Sequence, residues 1–135
     1  MDKQKLIDAA REMVGVPFRH EGRSPSGVDC YGLLIVLGQR FGIDVPIEIG
    51  YGRRPSGRHM RMRLEEYSTP VHRDDISPGD ILHIKYDQEP QHLAIVSNRE
   101  PLRIIHADSI IGRVVEQGVD ASMRNKIRGV YRVTV

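Results

Sequence analysis

The chain has 135 residues, which suits one domain with its own hydrophobic core. Hydrophobic residues make up 39% and charged residues 28%, ordinary proportions that exclude a fibrous or disordered chain. The formal net charge of +2 is too small to indicate nucleic-acid binding by itself. Because only one cysteine is present, an intramolecular disulfide and a cysteine-rich zinc site are both excluded.

The N-terminal segment lacks the apolar run of a secretory signal peptide, since charged and polar residues interrupt its first eight positions. Nowhere does the sequence approach the roughly 18–20 consecutive apolar residues of a membrane span. We therefore expect a protein without a membrane span that is made in a cytoplasm. If it acts outside that compartment, a route other than Sec secretion must carry it.

Two amphipathic helices are predicted in the first third of the chain. Apolar residues recur at helical spacing over residues 3–14, and this helix stops at the Gly-Val-Pro sequence that follows. A second apolar stripe covers residues 30–41, with Asp29 as a good N-cap. Gly42 suits the position after the helix, and Pro46 prevents continuation.

The middle of the chain, residues 47–75, has the weakest pattern and is predicted as a loop with a short helix. Within it, the segment from Tyr51 to Arg63 contains five arginines and no acidic residue. A solvated surface is the simpler interpretation of this segment. Contact with an acidic ligand or a partner protein is the alternative.

The remainder of the chain changes to short strands separated by turn-length gaps, which favours an antiparallel meander. Because helices come first and strands later, the predicted fold class is α+β, in one domain over residues 1–135. The predicted strands are residues 80–84, 92–97, 102–107, 112–116 and 129–135.

Cys30 is predicted in the first turn of the second helix. A helix N-terminus lowers the pKa of a thiol, and the thiolate is the reactive form. The backbone N–H groups of that turn also suit an oxyanion. A structural cysteine, the alternative, belongs more naturally in the middle of the apolar stripe. The position therefore favours Cys30 as a nucleophile.

A thiol nucleophile needs a general base, and the sequence offers six histidines. If the strands that start at His92 and contain His106 form a hairpin with residues 97–101 as the loop, these two histidines face each other. One imidazole then orients the other, as the third member of a catalytic triad does. A register change of one residue would place them on opposite faces.

The other histidines carry weaker signals. His83, on a predicted strand, is assigned a structural or rim role. His20 lies in the loop before Cys30 and is predicted to line the cleft. His59 and His72 have no motif context.

Six segments follow one another between Gly15 and the end of the chain: Gly15-Val16-Pro17-Phe18, Gly27-Val28-Asp29-Cys30-Tyr31-Gly32-Leu33-Leu34, Gly42-Ile43-Asp44-Val45-Pro46, Pro78-Gly79-Asp80-Ile81, His92-Leu93-Ala94-Ile95-Val96 and Ile104-Ile105-His106-Ala107. In their order and spacing, these segments resemble the NlpC/P60 family of cysteine peptidases.

The resemblance implies a papain-like fold in which N-terminal helices pack on a roughly five-stranded antiparallel sheet. It implies a catalytic triad of Cys30, His92 and His106, with no metal or cofactor. It also implies hydrolysis of peptide or isopeptide bonds in peptidoglycan stem peptides. The usual target is the bond between γ-D-glutamate and a diamino acid.

Four residues near Cys30 are assigned to substrate contact, namely Phe18, His20, Asp29 and Tyr31. Two of them depart from the family pattern. The family usually has tyrosine at the position of Phe18, and Phe18 has no hydroxyl to assist the oxyanion site. It usually has serine at the position of Tyr31, where a larger side chain narrows the cleft.

The Asp-Cys-x-Gly-Leu form of the nucleophile segment is similar to the phage-tail branch of the family. This similarity implies a component of the virion tail tip that acts on the cell wall during infection and assembles with other tail-tip proteins. It also offers an explanation for the missing signal peptide.

Three other interpretations remain open. The first is a structural tail-tip subunit that keeps the fold with weak or no turnover, which the departures at Phe18 and Tyr31 favour. The second is a zinc site of His83, His92 and His106, with or without Cys30, although no metal-ligand spacing supports it. The third is nucleic-acid binding through the arginine-rich segment, which lacks interleaved aromatics and a known motif.

Overall fold

A computed structural model describes residues 2–43, 57–85 and 92–134. Its helices are α1 (Lys3–Glu12), α2 (Cys30–Arg40), α3 (Gly57–Tyr67) and α4 (Ala121–Arg124), with a 3₁₀ turn at Arg73–Asp75. Its strands are β1 (Arg23–Ser24), β2 (Gly27–Val28), β3 (Ser68–Val71), β4 (Ile81–Ile84), β5 (His92–Asn98), β6 (Arg103–Asp108), β7 (Arg113–Gly118) and β8 (Ile127–Val133).

The described strands form a two-stranded hairpin, β1–β2, and a six-stranded antiparallel sheet in the order β3-β8-β4-β5-β6-β7. The predicted α+β class is confirmed, with six strands in the main sheet rather than about five. The additional strand is β3, which pairs with β8 at the sheet edge. It lies in the segment with the weakest pattern, and its proline, Pro70, is tolerated because edge strands need fewer ladder hydrogen bonds.

Both predicted N-terminal helices are present, each with an aspartate at its N-cap. The Asp2 side chain accepts hydrogen bonds from the backbone N–H groups of Gln4 and Lys5. Helix α2 begins at Cys30, as predicted, and ends at Arg40. Gly42 follows with φ +72°, a left-handed conformation that suits glycine after a helix end.

The helices α1 and α2 pack on one side of the central strands. Their shared core contains Ala10, Leu33, Leu37, Ile95 and Ile105, all at most 1% exposed. A second core, on the opposite side of these strands, includes Leu82, Val96 and Ile104. Burial on both sides fixes β5 and β6 in place, because any slip would move large apolar side chains into the wrong layer.

Some predictions concern residues outside the described ranges. The first part of the arginine-rich segment, residues 51–56, and Pro46 are among them. The later part of that segment begins α3, which packs on β3 and β8. Among the described residues, no helix is long and apolar enough to cross a membrane.

Candidate functional site

The N-terminus of α2 is fixed by the Asp29 side chain. Its Oδ1 accepts the backbone N–H of Gly32 and its Oδ2 that of Glu21, both at 2.8 Å. The first bond caps the helix, and the second attaches the preceding loop to it. Asp29 is 4% exposed, so its buried carboxylate holds the helix start and the preceding loop in place beside Cys30.

Cys30 is the first residue of α2, and it is 8% exposed. Its thiol therefore lies at the positive end of the helix dipole, where the thiolate is favoured. The neighbouring Tyr31 is 3% exposed. Burial raises the pKa of the Tyr31 hydroxyl, and the charges of Cys30 and Asp29 raise it further.

His92 and His106 form a hydrogen-bonded pair in the sheet. His92 Nε2 lies 2.7 Å from His106 Nδ1, so one of these nitrogens donates to the other. Both side chains are fully buried, and their rings meet edge to face at an interplanar angle of 81°. A ring bonded in this way has a fixed orientation and a defined tautomer.

The predicted hairpin register behind this pair is wrong by two residues. In the structure Val96 pairs with Ile104, not with Leu102, so His106 is a diagonal neighbour of His92 and does not face it directly. A bulge between Val96 and Asn98 sets this register. Because side chains alternate with a period of two, a two-residue shift keeps both histidines on the same face.

Helix α2 contacts both strands that carry the histidines, β5 and β6. Cys30 belongs to the same buried cluster as Leu93, the residue after His92. The cluster also contains Tyr31, Ile81 and Tyr131. The three elements that carry the predicted catalytic residues, α2, β5 and β6, thus pack against one another, while Leu93 lies on the face of β5 opposite to that of His92.

The residues assigned to substrate contact have different environments. Phe18 is partly buried, and its backbone N–H donates to the Gly112 carbonyl at 2.9 Å. His20 Nε2 lies 3.2 Å from Glu21 Oε1, with the histidine side chain 24% exposed. Tyr31 packs into the buried cluster with Cys30. Phe18 and His20 are both partly exposed, whereas Tyr31 is buried.

His83 lies on β4, opposite Leu93 on β5 and Gly129 on β8. It is 8% exposed, which places it beneath the surface beside the cluster that contains Cys30. No group of three or more potential metal ligands is arranged to hold an ion in the ranges 2–43, 57–85 and 92–134. The structure thus offers no observation in favour of the zinc alternative.

Two features of the site lie beyond the sequence prediction. A Cβ at Gly32 would overlap the Gly22 carbonyl oxygen, so α2 and the loop before it touch backbone to backbone. In addition, the Tyr131 ring covers Gly129, where an added Cβ would lie 2.8 Å from Tyr131 Cε2. The glycines between residues 22 and 32 were a sequence signal that two backbone segments approach closely there. No signal near Tyr131 in the sequence marks it as a neighbour of Cys30.

Comparison with protein families gives a match to the NlpC/P60 family model over residues 15–131. The probable endopeptidase Rv2190c of Mycobacterium tuberculosis is 32% identical over 81 residues, which are 60% of this chain and 18% of that protein. The probable endopeptidase NlpC of Escherichia coli is 26% identical over 129 residues, covering 93% of this chain and 69% of that protein. The chain thus spans less than a fifth of the mycobacterial relative.

Solved structures share the fold. An NlpC/P60 family protein from Bacillus cereus superposes with a TM-score of 0.74 at 20% identity, over 98% of this chain and 40% of that chain. RipD of M. tuberculosis, described as a non-catalytic NlpC/p60 domain protein adapted to peptidoglycan binding, gives 0.65 at 14% identity, over 100% of this chain and 99% of that chain. The same architecture therefore occurs in a protein described as lacking catalysis.

Proposed function

Because the chain belongs to the NlpC/P60 family, we propose that it is a cysteine peptidase that hydrolyses peptidoglycan stem peptides. The observation that carries the proposal is the combination of Cys30 at a capped helix start with the His92–His106 hydrogen bond on the strands beneath that helix. The bond we assign as the target joins γ-D-glutamate to a diamino acid, as the family resemblance implies.

In the proposed mechanism, His92 takes the proton of Cys30, and the thiolate attacks the carbonyl carbon of the scissile amide. We assign the oxyanion to the backbone N–H of Cys30 at the helix start. The Gly32 N–H is engaged by Asp29, which keeps the first turn rigid as charge develops nearby. His92 then protonates the departing amine, and water hydrolyses the thioester. His106 holds the His92 ring in orientation.

Peptidoglycan digestion tests this proposal. Purified peptidoglycan is incubated with wild type, Cys30→Ala and Cys30→Ser, and the released fragments are identified by mass spectrometry. We expect stem-peptide fragments from wild type only, with new termini that identify the bond. Fragments from Cys30→Ala at the wild-type rate would exclude Cys30 as the nucleophile.

A non-catalytic, peptidoglycan-binding or structural role is the second candidate. The fold shared with RipD and the absence of a hydroxyl at Phe18 favour it. Alkylation of Cys30 by iodoacetamide separates the two roles. A thiol that reacts rapidly at pH 6–7 and slows in His92→Ala supports catalysis, whereas equal slow reaction in both proteins supports a structural role.

The narrower hypothesis places the protein at a phage tail tip together with other tail proteins. Its support is the similarity of the segment Asp29-Cys30-Tyr31-Gly32-Leu33 to the phage-tail branch. Mass spectrometry of purified virions, compared with the secreted proteins of the host, tests it. Detection among the secreted proteins and not in particles would refute this localisation.

A further inference from the structure

A pocket lies away from the cysteine–histidine site, where the 3₁₀ turn, the β5–β6 turn and α4 meet. Three arginines, Arg73, Arg99 and Arg124, line it, and we call it the arginine pocket. Arg99 follows the last residue of β5, whereas His92 is the first. Seven residues of extended chain separate them by roughly 20 Å, so a ligand here lies outside the proposed active site.

The floor of the pocket and one of its arginines are held by the surrounding structure. Its floor is formed by Ile76 and Leu102, which are 6% and 3% exposed and belong to the core beneath the sheet. Arg73 Nη2 donates to the Arg124 carbonyl at 2.8 Å, which joins the 3₁₀ turn to the end of α4. A ligand therefore meets a preformed floor and a fixed Arg73, whereas the exposed side chains of Arg99 and Arg124 must become ordered when it binds.

The charges around the pocket favour a single negative group. Two carboxylates, Asp74 and Glu100, also line it, so three guanidinium groups leave one positive charge in excess. Asp74 Oδ2 also lies 3.4 Å from Nδ1 of His72, a residue that does not line the pocket. Neither Arg99 nor Arg124 has an ion pair with another residue in the described part of the chain. These two guanidinium groups are thus available for a carboxylate. A guanidinium group binds a carboxylate through two parallel N–H donors.

Size and polarity narrow the ligand further. The cavity volume of about 170 Å³ is close to that of cavities that hold one benzene-sized group. An apolar floor beneath a cationic rim suits a group with an apolar side chain next to an anion. We propose that the arginine pocket binds the C-terminal carboxylate of a peptide whose last residue is small and apolar. The pocket then acts as an attachment site that holds the protein near such chains.

Calorimetric titration with N-acetyl-Ala-Ala, as the free acid and as the C-terminal amide, tests the inference. The titrations use Cys30→Ala protein, so that turnover plays no part and a failure of the proposed peptidase activity does not affect the result. We expect the acid to bind at least about tenfold more tightly than the amide, because the amide removes the charge that the guanidinium groups recognise. Equal affinity for both peptides would overturn the inference.

Arginine variants locate the binding. Arg99→Gln and Arg124→Gln, each in the Cys30→Ala background, should weaken binding of the acid about tenfold. Arg113→Gln, at an exposed position on β7 outside the pocket, should leave it unchanged. Melting temperatures equal to that of the parent exclude misfolding. Wild-type-like affinity in both pocket variants would also overturn the proposal.

Sedimentation with purified peptidoglycan distinguishes the source of the carboxylate. If Arg99→Gln weakens both the peptide and the peptidoglycan binding, wall stem peptides are the source. If it weakens only the peptide binding, the source is the C-terminus of a protein. In both cases the arginine pocket binds a peptide carboxylate, and only the molecule that carries the carboxylate differs.

Discussion

Asp29 joins two segments at the residue scale, because its carboxylate oxygens accept N–H groups from both Gly32 and Glu21. We predict that Asp29→Ala lowers the free energy of unfolding by about 2 kcal/mol or more, since a helix cap and a buried acceptor are lost together. Urea denaturation measures this change. Asp2→Ala removes the exposed cap of α1 and serves as the control, with an expected loss of about 1 kcal/mol. Equal losses would mean that the bond to Glu21 contributes nothing.

His106 is the positioning residue of the proposed triad. Its hydrogen bond of 2.7 Å to His92 can be removed by substitution, which tests this role. We predict that His106→Ala lowers kcat on peptidoglycan fragments about 100-fold, because the His92 ring loses its fixed orientation. His106→Gln keeps a hydrogen-bonding side chain and should recover part of the rate.

The pH dependence of Cys30 alkylation provides a second measurement for His106, which a loss of packing alone would not change. In His106→Ala the reaction should shift to higher pH, because a disordered imidazole stabilises the thiolate less well. An unchanged profile in a folded variant would assign His106 to the core and not to the triad.

At the scale of secondary-structure elements, the contact between α2 and the loop before it positions the start of the helix that carries Cys30. Helix α2 and the preceding loop meet at Gly32 and Gly22, where an added Cβ would overlap a carbonyl oxygen. We predict that Gly32→Ala lowers the free energy of unfolding by about 1–3 kcal/mol and reduces activity more than the stability loss explains. The physical reason is that the added methyl group pushes the loop at Gly22 away from the start of α2, where Cys30 lies.

Gly118→Ala on β7 is the matched control for Gly32, because its added Cβ would meet only Arg103 Nη1 at 4.0 Å. Thermal unfolding and the rate of peptidoglycan cleavage are measured for both variants. A Gly32→Ala protein with normal activity would show that the loop position has no influence on the nucleophile.

At the scale of the whole molecule, Glu116 on β7 connects the sheet edge to α1. Arg11 donates to both its carboxylate oxygens, at 3.1 and 3.2 Å. The hydrogen bond from Arg11 is the main cause that lowers the pKa of Glu116 below its usual 4.5. The pair therefore stabilises the fold above that usual pKa, and this contribution disappears as the pH falls through the lower pKa of the folded state.

We predict that Glu116→Gln is less stable than wild type by up to about 1 kcal/mol at pH 7, since the Arg11 side chain is 43% exposed and partly screened. The difference should decrease as the pH falls from the usual glutamate pKa of 4.5 through the lower pKa of Glu116 in the folded state. Urea denaturation across this range measures it. Glu66→Gln, which removes a local pair on α3, should show a smaller difference. A difference that stays constant as the pH falls below 4.5 and down to the acid limit of the folded state would contradict the ion-pair explanation.

Local chemistry made much of the site predictable from the sequence. The capping aspartate, the apolar stripe and Gly42 define where α2 begins and ends, so the position of Cys30 at its start was predictable. This prediction depends on neighbours within a few residues, and such signals are readable along the chain. The shared face of His92 and His106 depended also on the hairpin register, and it held because the register differs from the predicted one by an even number of residues.

Long-range packing decided the remaining features. A bulge near Val96 accompanies the observed hairpin register, and β3 pairs with β8 at the sheet edge. Tyr131, on the last strand, lies in the cluster that contains Cys30. The sequence by itself therefore determined the fold class and the helix that carries Cys30. Tertiary structure alone decided the register, the walls of the site and the arginine pocket, because these arise from contacts between residues far apart in the chain.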